Sequence, residues 1–410
     1  MKEFTTTKAP LSGNIGIGPN TTAKPQSLKE IAYSDKLRMR TNFEELNTVL
    51  GGGIVQGAVM LIAGDPGVGK STLLLQLALS MSNTKKILYV SGEESAEQIK
   101  MRAERISKLK KSTNDGLLLL SLTDTDAIIA QIESIKPDLV IVDSIQTVES
   151  QNVSGLSGSV AQVRYSALQF VRFAKQNNIP VIIVGHVTKD GMVAGPMVLS
   201  HMVDTVLFLE GEKFAKTRLL RSLKNRFGPV DEVGIFLMEE EGMIEIKNPE
   251  QLFLSEHKEK VPGSVLVSTL EGSRAFLVEL QALTVVSRLP MPRRVVSGLD
   301  PRRVELLLAV LQKHCRLPLD TMDVFVNVAG GMKLTDPAID LGICLAVYSS
   351  LQNIALSTTV GIAEVGLLGE LRMVNGLEKR SKEAEKMGFK PIITAKSHKT
   401  LREVIGSLGK

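Results

Sequence analysis

Short apolar runs alternating with amphipathic stretches dominate residues 43–237 of this chain. Val59–Ala63, Ile87–Val90, Leu117–Leu120, Leu139–Val142 and Val181–Val184 each have the length and uniform hydrophobicity of a strand buried on both faces. Between them lie helix signals. Thr72–Leu79 consists of good helix formers. Ser95-Ala96-Glu97-Gln98 is a capping box opening a helix through about Lys110, and a further helix is expected from about Val160 to Gln176. Strand and helix in alternation predict a parallel α/β sheet. Val206–Leu209, Arg218–Leu223 and Val233–Leu237 then read as meander strands at its edge.

The pattern changes on either side of that domain. Residues 1–34 are rich in Thr, Gly, Pro and Asn and poor in apolar residues, so a flexible tail is expected before a domain covering 35–250. A charged, mixed stretch gives a linker at 251–262, and a second domain fills 263–410. Val265–Ser268 and Phe276–Leu280 flank Glu271-Gly272-Ser273-Arg274, the pattern of a hairpin. Asp300-Pro301 starts a helix running to about His314, with an Asp cap and Pro at the first position. A strand at Val324–Val328, a helix from Ala338 to Ser349, a strand near Val360, a helix from Glu378 to Lys386 and Ile392-Ile393 complete an α+β unit.

The first strand runs into Gly64-Asp65-Pro66-Gly67-Val68-Gly69-Lys70-Ser71-Thr72, which fits G-x-x-x-x-G-K-[ST] with the strand before it and the helix after it. Glycines let backbone N–H groups turn toward phosphate oxygens, and the helix adds its positive end. Lys70 is expected to neutralise the β/γ-phosphates and Ser71 to offer its hydroxyl to Mg²⁺. ATP with Mg²⁺ is therefore the expected ligand.

Asp143 ends a core strand, at the edge where open α/β sheets bind ligands, and is the second expected Mg²⁺ holder. Gly92-Glu93-Glu94 follows the second strand at the same edge. A carboxylate there polarises the attacking water. Glu93 is preferred because it lies nearer the strand end, while Glu94 also reads as a helix-start acid complementing the dipole. His186 closes another core strand, as a γ-phosphate sensor or as a structural histidine. The loops 149–158 and 187–196 are long and glycine-bearing beside a nucleotide site, and such loops are usually functional. Lys224 and Arg226, one residue apart on an expected strand, face one side. They are either a surface pair or cationic fingers for a neighbouring subunit's γ-phosphate, a role worth about 10³–10⁵ in rate.

Composition narrows the rest. Hydrophobic content of 43% and charged content of 23% are those of an ordinary soluble protein, with no apolar run long enough to span a bilayer and no secretory signal. The cytoplasm is the expected compartment, without a membrane partner. Cys315 and Cys344 are too few for a disulfide framework or a four-cysteine zinc site, and both sit in apolar helical patterns that suit buried thiols. Of the +5 net charge, residues 1–260 contribute nothing, with 30 basic against 30 acidic residues. The excess lies in 261–410, concentrated between Arg288 and Arg316, where seven basic residues include Arg293, Arg294, Arg302 and Arg303. A polyanionic partner and a merely solvated basic face explain that equally well.

The phosphate loop, the block Lys224-Asn225-Arg226-Phe227-Gly228 and the C-terminal domain together resemble the bacterial RadA (Sms) family of DNA recombination and repair ATPases, over roughly residues 35–405. The resemblance implies a RecA-like P-loop ATPase core joined to a Lon-protease-like α+β domain. It implies hexameric rings on single-stranded or branched DNA that promote branch migration alongside the RecA recombinase. It implies that Lys224 and Arg226 act in trans, and that the loops 149–165 and 187–196, with Arg164 and Lys189, line the DNA channel. The basic segment with Arg293, Arg294, Arg302 and Arg303 becomes a DNA-facing surface.

Two departures stand out. No cysteine occurs in residues 1–40, where the family's four-cysteine zinc finger would lie, so no zinc is expected in this chain. The positions matching a Lon-type Ser–Lys dyad are Ala338, in Asp336-Pro337-Ala338-Ile339-Asp340, and Glu378, in Asn375-Gly376-Leu377-Glu378. Ala338 has no nucleophile and Glu378 no amine, so peptidase chemistry is excluded. An ATP-driven assembly or signalling protein with the same core is the alternative function.

Overall fold

The computed structural model describes residues 38–107, 115–186, 196–211, 216–246 and 261–408, together with Ser27. The expected tail, most of the linker at 251–262, the loop 187–196 apart from Pro196, and Lys189 lie outside the described residues.

Nine strands form the sheet of the first domain. From one edge they are Gly242–Glu245, Val233–Glu239, Thr217–Asn225, Thr205–Glu210, Val59–Gly64, Val181–His186, Leu139–Asp143, Ile87–Ser91 and Leu117–Ser121. From Thr205–Glu210 to Leu117–Ser121 every neighbour is parallel, and the remaining three strands are added antiparallel. Four of the five apolar runs form central strands because both faces are covered, with the two-residue period sorting residues between the faces. Leu117–Ser121 instead lies at the sheet edge and is only half-buried, a correction to the expectation that it is buried on both faces. Met60 and Ile62 pack with Leu73 and Leu77 of the helix Lys70–Met81, while Val59 and Leu61 pack with Val163 and Phe170 of the helix Val160–Asn177. The capping box is present: Ser95 N–H donates to Gln98 Oε1 at 2.9 Å, and Gln98 N–H returns to Ser95 Oγ at 3.4 Å, opening the helix Ala96–Ser107.

Register brings the chemistry to one edge. Gly64 pairs with His186, and Ser91 with Asp143, so the phosphate loop, Glu93, Asp143 and His186 all emerge at the carboxyl ends of the parallel strands. The antiparallel extension carries the cations at 224 and 226 to the opposite end, because Lys224 pairs with Val206 and Asn225 with Thr205, at the start of their strand. That strand ends at Asn225, so Arg226 lies just beyond it.

The second domain is a six-stranded sheet in the order Arg294–Ser297, Met322–Val328, Arg274–Val286, Ser264–Glu271, Val360–Ile362, Ile392–Thr394. The helices Pro301–Cys315, Asp340–Gln352 and Leu401–Leu408 cover one face, and Leu377–Lys386 covers half of the other. Asp300 caps the first of these helices through its side chain, with Pro301 at the first position. The predicted hairpin is there, Glu271 opposite Arg274, and Gly272 supplies the positive φ of 62° that the turn requires. Cys344 is buried, whereas Cys315 is only half-buried, a correction to the expectation of two buried thiols.

Candidate functional site

The strand Val59–Gly64 delivers the chain to a loop that no ordinary residue could follow. Gly64, Gly67 and Gly69 have φ of 153°, 77° and 114°. The helix Lys70–Met81 then begins with no side-chain cap, so the amides of its first turn are left to an external acceptor. A Cβ added at Gly67 would meet nothing within 4 Å, while one at Gly69 would meet the methyl groups of Met243 and Met238 at 2.3 and 2.4 Å. The loop is thus open toward solvent and walled behind. Asp65, Pro66 and Gly67 are exposed, Val68 is buried, and Arg218 Nε donates to the Val68 carbonyl at 3.0 Å. Gln76 braces the helix to the edge hairpin, accepting from Met243 N–H at 2.8 Å and donating to its carbonyl at 3.0 Å.

Lys70 is only 3% exposed, and its Nζ donates to the Gly64 and Asp65 carbonyls at 2.7 and 2.9 Å. Burial pulls the ammonium below its ordinary range, opposed by the charges of Asp143, Asp65 and Glu93. A buried cation satisfied by carbonyls, beside a ring of uncapped amides, is an environment made for an anion of high charge. Ser71 and Thr72 occupy the first helical turn, half-buried beside it. The donor set fits a nucleoside triphosphate with Mg²⁺, with Lys70 and the loop amides for the phosphates and Ser71 and Asp143 for the metal.

Asp143 is held by a residue that the sequence reading passed over. Tyr89, fully buried in the neighbouring strand, donates its hydroxyl to Asp143 Oδ2 at 2.6 Å. Burial and the adjacent carboxylate push the phenol well above its ordinary range, so it stays a donor. The signal was available: a Tyr in a fully buried strand needs a partner for its hydroxyl. Ser144, joined to Asp143 by a cis peptide bond, donates to Glu93 Oε1 at 2.5 Å. The same oxygen lies 3.4 Å from His186 Nε2. Glu94 is turned away into an ion pair with Arg102 at 2.5 Å. Of the two acids, Glu93 is therefore the one in the cradle.

The loop at 149–158 is braced rather than loose. Gln162, at a buried position of the helix Val160–Asn177, accepts from Ser150 N–H at 2.9 Å and donates to the Val153 carbonyl at 2.6 Å. Its tip Leu156 is 86% exposed, and Arg164 is exposed on the first turns of the same helix. Gln146 donates to the His186 carbonyl at 3.4 Å and accepts from Ser157 at 3.0 Å, joining the loop to the nucleotide edge.

At the opposite end, Lys224 Nζ donates to the Ser200 and Val203 carbonyls at 2.6 and 2.8 Å, and Arg226 Nη1 lies 3.3 Å from Asp204. The two cations lie close to each other although only Lys224 is on the strand, and burial and the neighbouring guanidinium draw the Lys224 ammonium down. Asp204 also accepts from Val59 N–H, the first residue of the phosphate-loop strand. That strand's six residues place Arg226 roughly 16 Å along the sheet from Gly64.

The basic segment of the second domain divides. Arg303 is bound to the 98% buried Asp340 through Nε, 3.1 Å from Oδ1, and through Nη2 to Oδ2, and Nη2 also donates to the Val365 carbonyl. Arg294 donates to the carbonyls of Met322 and Leu319. Both guanidiniums are hydrogen-bonded within the domain while remaining half-exposed, so of the four expected DNA-facing arginines these two are the ones already partnered. Arg302 is exposed, and Arg293 is exposed with its Nε 3.4 Å from Asp323 Oδ2 while its backbone N–H donates to Oδ1 of the same carboxylate at 2.7 Å. At the positions matching the Lon-type dyad, Ala338 is completely buried and Glu378 exposed, while Arg380 Nη2 pairs with Asp336 at 2.6 Å.

Two family models match the chain: an AAA domain over residues 24–192 and the subunit ChlI of Mg-chelatase over residues 300–398. The DNA repair protein RadA of Halalkalibacterium halodurans is 46% identical over 96% of this chain and 86% of its own length. The chain belongs to the RadA family. RadA of Streptococcus pneumoniae is 46% identical over 92% of this chain and 89% of its own, and RadA of Bacillus subtilis 46% over 91% and 81%. A crystal structure of the RadB recombinase aligns with 51% of this chain and 99% of its own at 24% identity, with a TM-score of 0.41. The family resemblance and the α/β architecture expected from sequence both hold. No helix among the described residues is long and apolar enough to cross a membrane, and among them no cluster of His, Cys, Asp or Glu suits a metal ion.

Proposed function

We propose that this RadA-family chain hydrolyses ATP at a seam between subunits and uses the energy to move along DNA in recombination and repair. The observation that carries this is the separation of the cations at 224 and 226 from the phosphate cradle of the same chain. They stand at opposite ends of the core sheet, with Arg226 held next to Val59 and the cradle starting at Gly64. A head-to-tail ring brings one end against the other, and each site is then completed by the next copy. The family's hexameric assembly fits that geometry.

Within the site, the loop amides and Lys70 grip the phosphates, while Ser71 and Asp143, the latter oriented by Tyr89, hold Mg²⁺. Mg²⁺ held there would offset negative charge on the phosphates. Glu93, oriented by Ser144, places the attacking water, and His186 reads the γ-phosphate through Glu93. Lys224 and Arg226 of the next copy stabilise the charge that develops on transfer. Loop 149–158, joined to His186 through Gln146, carries that state toward DNA held by phosphate contacts at Arg164 and Lys189, with Arg293 and Arg302 adding charge. Branch migration with the RecA recombinase is the activity this arrangement serves.

The decisive experiment mixes Arg226→Ala with Lys70→Ala. Each alone is expected to lack turnover, and mixtures are expected to recover it, because Lys70→Ala subunits lend intact fingers to Arg226→Ala sites. No recovery at any ratio would remove the trans role. Turnover that ignores single-stranded DNA would move the protein to the assembly-ATPase alternative.

A further inference from the structure

The loop that carries Arg226 is gripped from two sides, and one grip comes from the second domain. Seven residues, Arg226 to Glu232, join the strands Thr217–Asn225 and Val233–Glu239. The first half is fixed inside the ATPase domain: Arg226 N–H donates to the Asp204 carbonyl at 3.1 Å, and Gly228 lies against Gly51. The second half is fixed by the hairpin turn Glu271–Arg274. Ser273 N–H donates to the Asp231 carbonyl at 2.6 Å, and Ser273 Oγ donates to Glu232 at 2.7 Å.

Charge reinforces the seat on both flanks. Arg221, in the finger strand, pairs with Glu271 at 2.5 Å. Arg274 pairs at 2.7 Å with Glu45, whose carboxylate also accepts from Ile235 N–H at 3.0 Å. The fit is close enough that a Cβ at Gly272 would lie 1.6 Å from the Asp231 oxygen. A loop of this length held only at its two strand ends would sample many conformations, and ordering it costs about 1–2 kcal/mol per residue in backbone entropy. The seat meets that cost before a neighbour arrives.

We infer that the turn Glu271–Arg274 of the second domain is a positioning element for the ATPase finger, holding the loop so that Lys224 and Arg226 present a fixed pair of charges to the next subunit. The inference rests on the trans role given under Proposed function. It assigns the protease-like domain a part in ATP turnover that needs neither peptidase chemistry nor DNA contact.

Gly272→Val tests it, because any branched side chain there drives the turn off Asp231. Binding of a fluorescent ATP analogue should be retained, since the variant's own cradle is intact. Turnover should fall at least about tenfold, a fraction of the full worth of a finger. Mixing with Lys70→Ala should restore turnover, because the variant's sites then receive well-placed fingers. A purely structural defect would not be rescued in this way. Wild-type turnover by Gly272→Val overturns the inference. So does a loss that the mixture cannot repair while the Arg226→Ala mixture does recover. If the Arg226→Ala mixture itself fails, the trans role falls and takes this inference with it. Should Gly272→Val not assemble, Arg274→Ala, which takes the guanidinium off Glu45, is read against the same outcomes.

Discussion

Single side chains in this molecule are set by what burial leaves them to bond. Tyr89 shows the effect most directly, since its hydroxyl is enclosed and Asp143 accepts from it. A hydrogen bond to a charged group is worth about 1.5–3 kcal/mol. Tyr89→Phe should leave the fold intact and raise the Mg²⁺ concentration needed for half-maximal nucleotide affinity several-fold. Titration of Mn²⁺ into the nucleotide complex, followed by electron paramagnetic resonance, measures this without relying on turnover. Arg303→Ala should instead destabilise the second domain by about 3 kcal/mol, because it strands the buried Asp340 carboxylate, and urea unfolding reports it. The sequence pointed to Lys70, Asp143 and Glu93 because each stands at a fixed offset from a strand end. It did not separate Arg303 from Arg302, since nothing local says that an acid 37 residues away will be buried against one of them. Charge density alone selects all the arginines of a segment, and only packing tells which are already partnered.

At the scale of elements, the period of hydrophobicity was nearly sufficient. The apolar runs expected as strands of the ATPase domain all joined its sheet with bounds shifted by two residues or fewer, and the capping box at Ser95 and the Asp-Pro helix start at 300 formed as written. In the second domain, by contrast, the strand expected at Phe276–Leu280 runs from Arg274 to Val286, and the strand Arg294–Ser297 was not anticipated. What the pattern lacked was the relation between elements. Met238 and Met243, two residues of an edge hairpin, form the back wall of the phosphate loop, a contact spanning more than 160 residues of chain. Gly69→Ala should therefore act mainly by forcing a side chain into φ of 114°, since the methionine methyl groups it meets end flexible side chains that can shift. Nucleotide affinity is expected to fall by about tenfold, from the roughly 1–2 kcal/mol that a left-handed backbone costs a residue with a Cβ. Isothermal titration with a non-hydrolysable ATP analogue checks it, and near-wild-type affinity would refute the strain. The loop 149–158 makes the same point: its Gly and Ser content marks it as a loop, but only the fold shows that Gln162, a polar residue at a buried helix position, pins it.

Across the whole molecule, grip on DNA should come from charge, because there is no Trp and aromatic residues make up 4% of the chain. Arg164→Ala is expected to weaken single-stranded DNA binding at low salt and to flatten the slope of log K against log salt by about 0.7. Arg294→Ala should leave that slope unchanged, since its guanidinium serves backbone carbonyls of its own domain. Fluorescence anisotropy over a salt series separates the two. The second domain also shows how the positions matching a protease dyad are occupied in this chain. Arg380 ties Asp336 to the carbonyls of Ser268 and Asn375, and Ala338 beside it is sealed from solvent. Grafting a serine at 338 and a lysine at 378 would place the hydroxyl where no peptide can reach it and leave the amine outside in water. The bonding around position 338 closes that segment off, so two point substitutions would not by themselves assemble a working dyad.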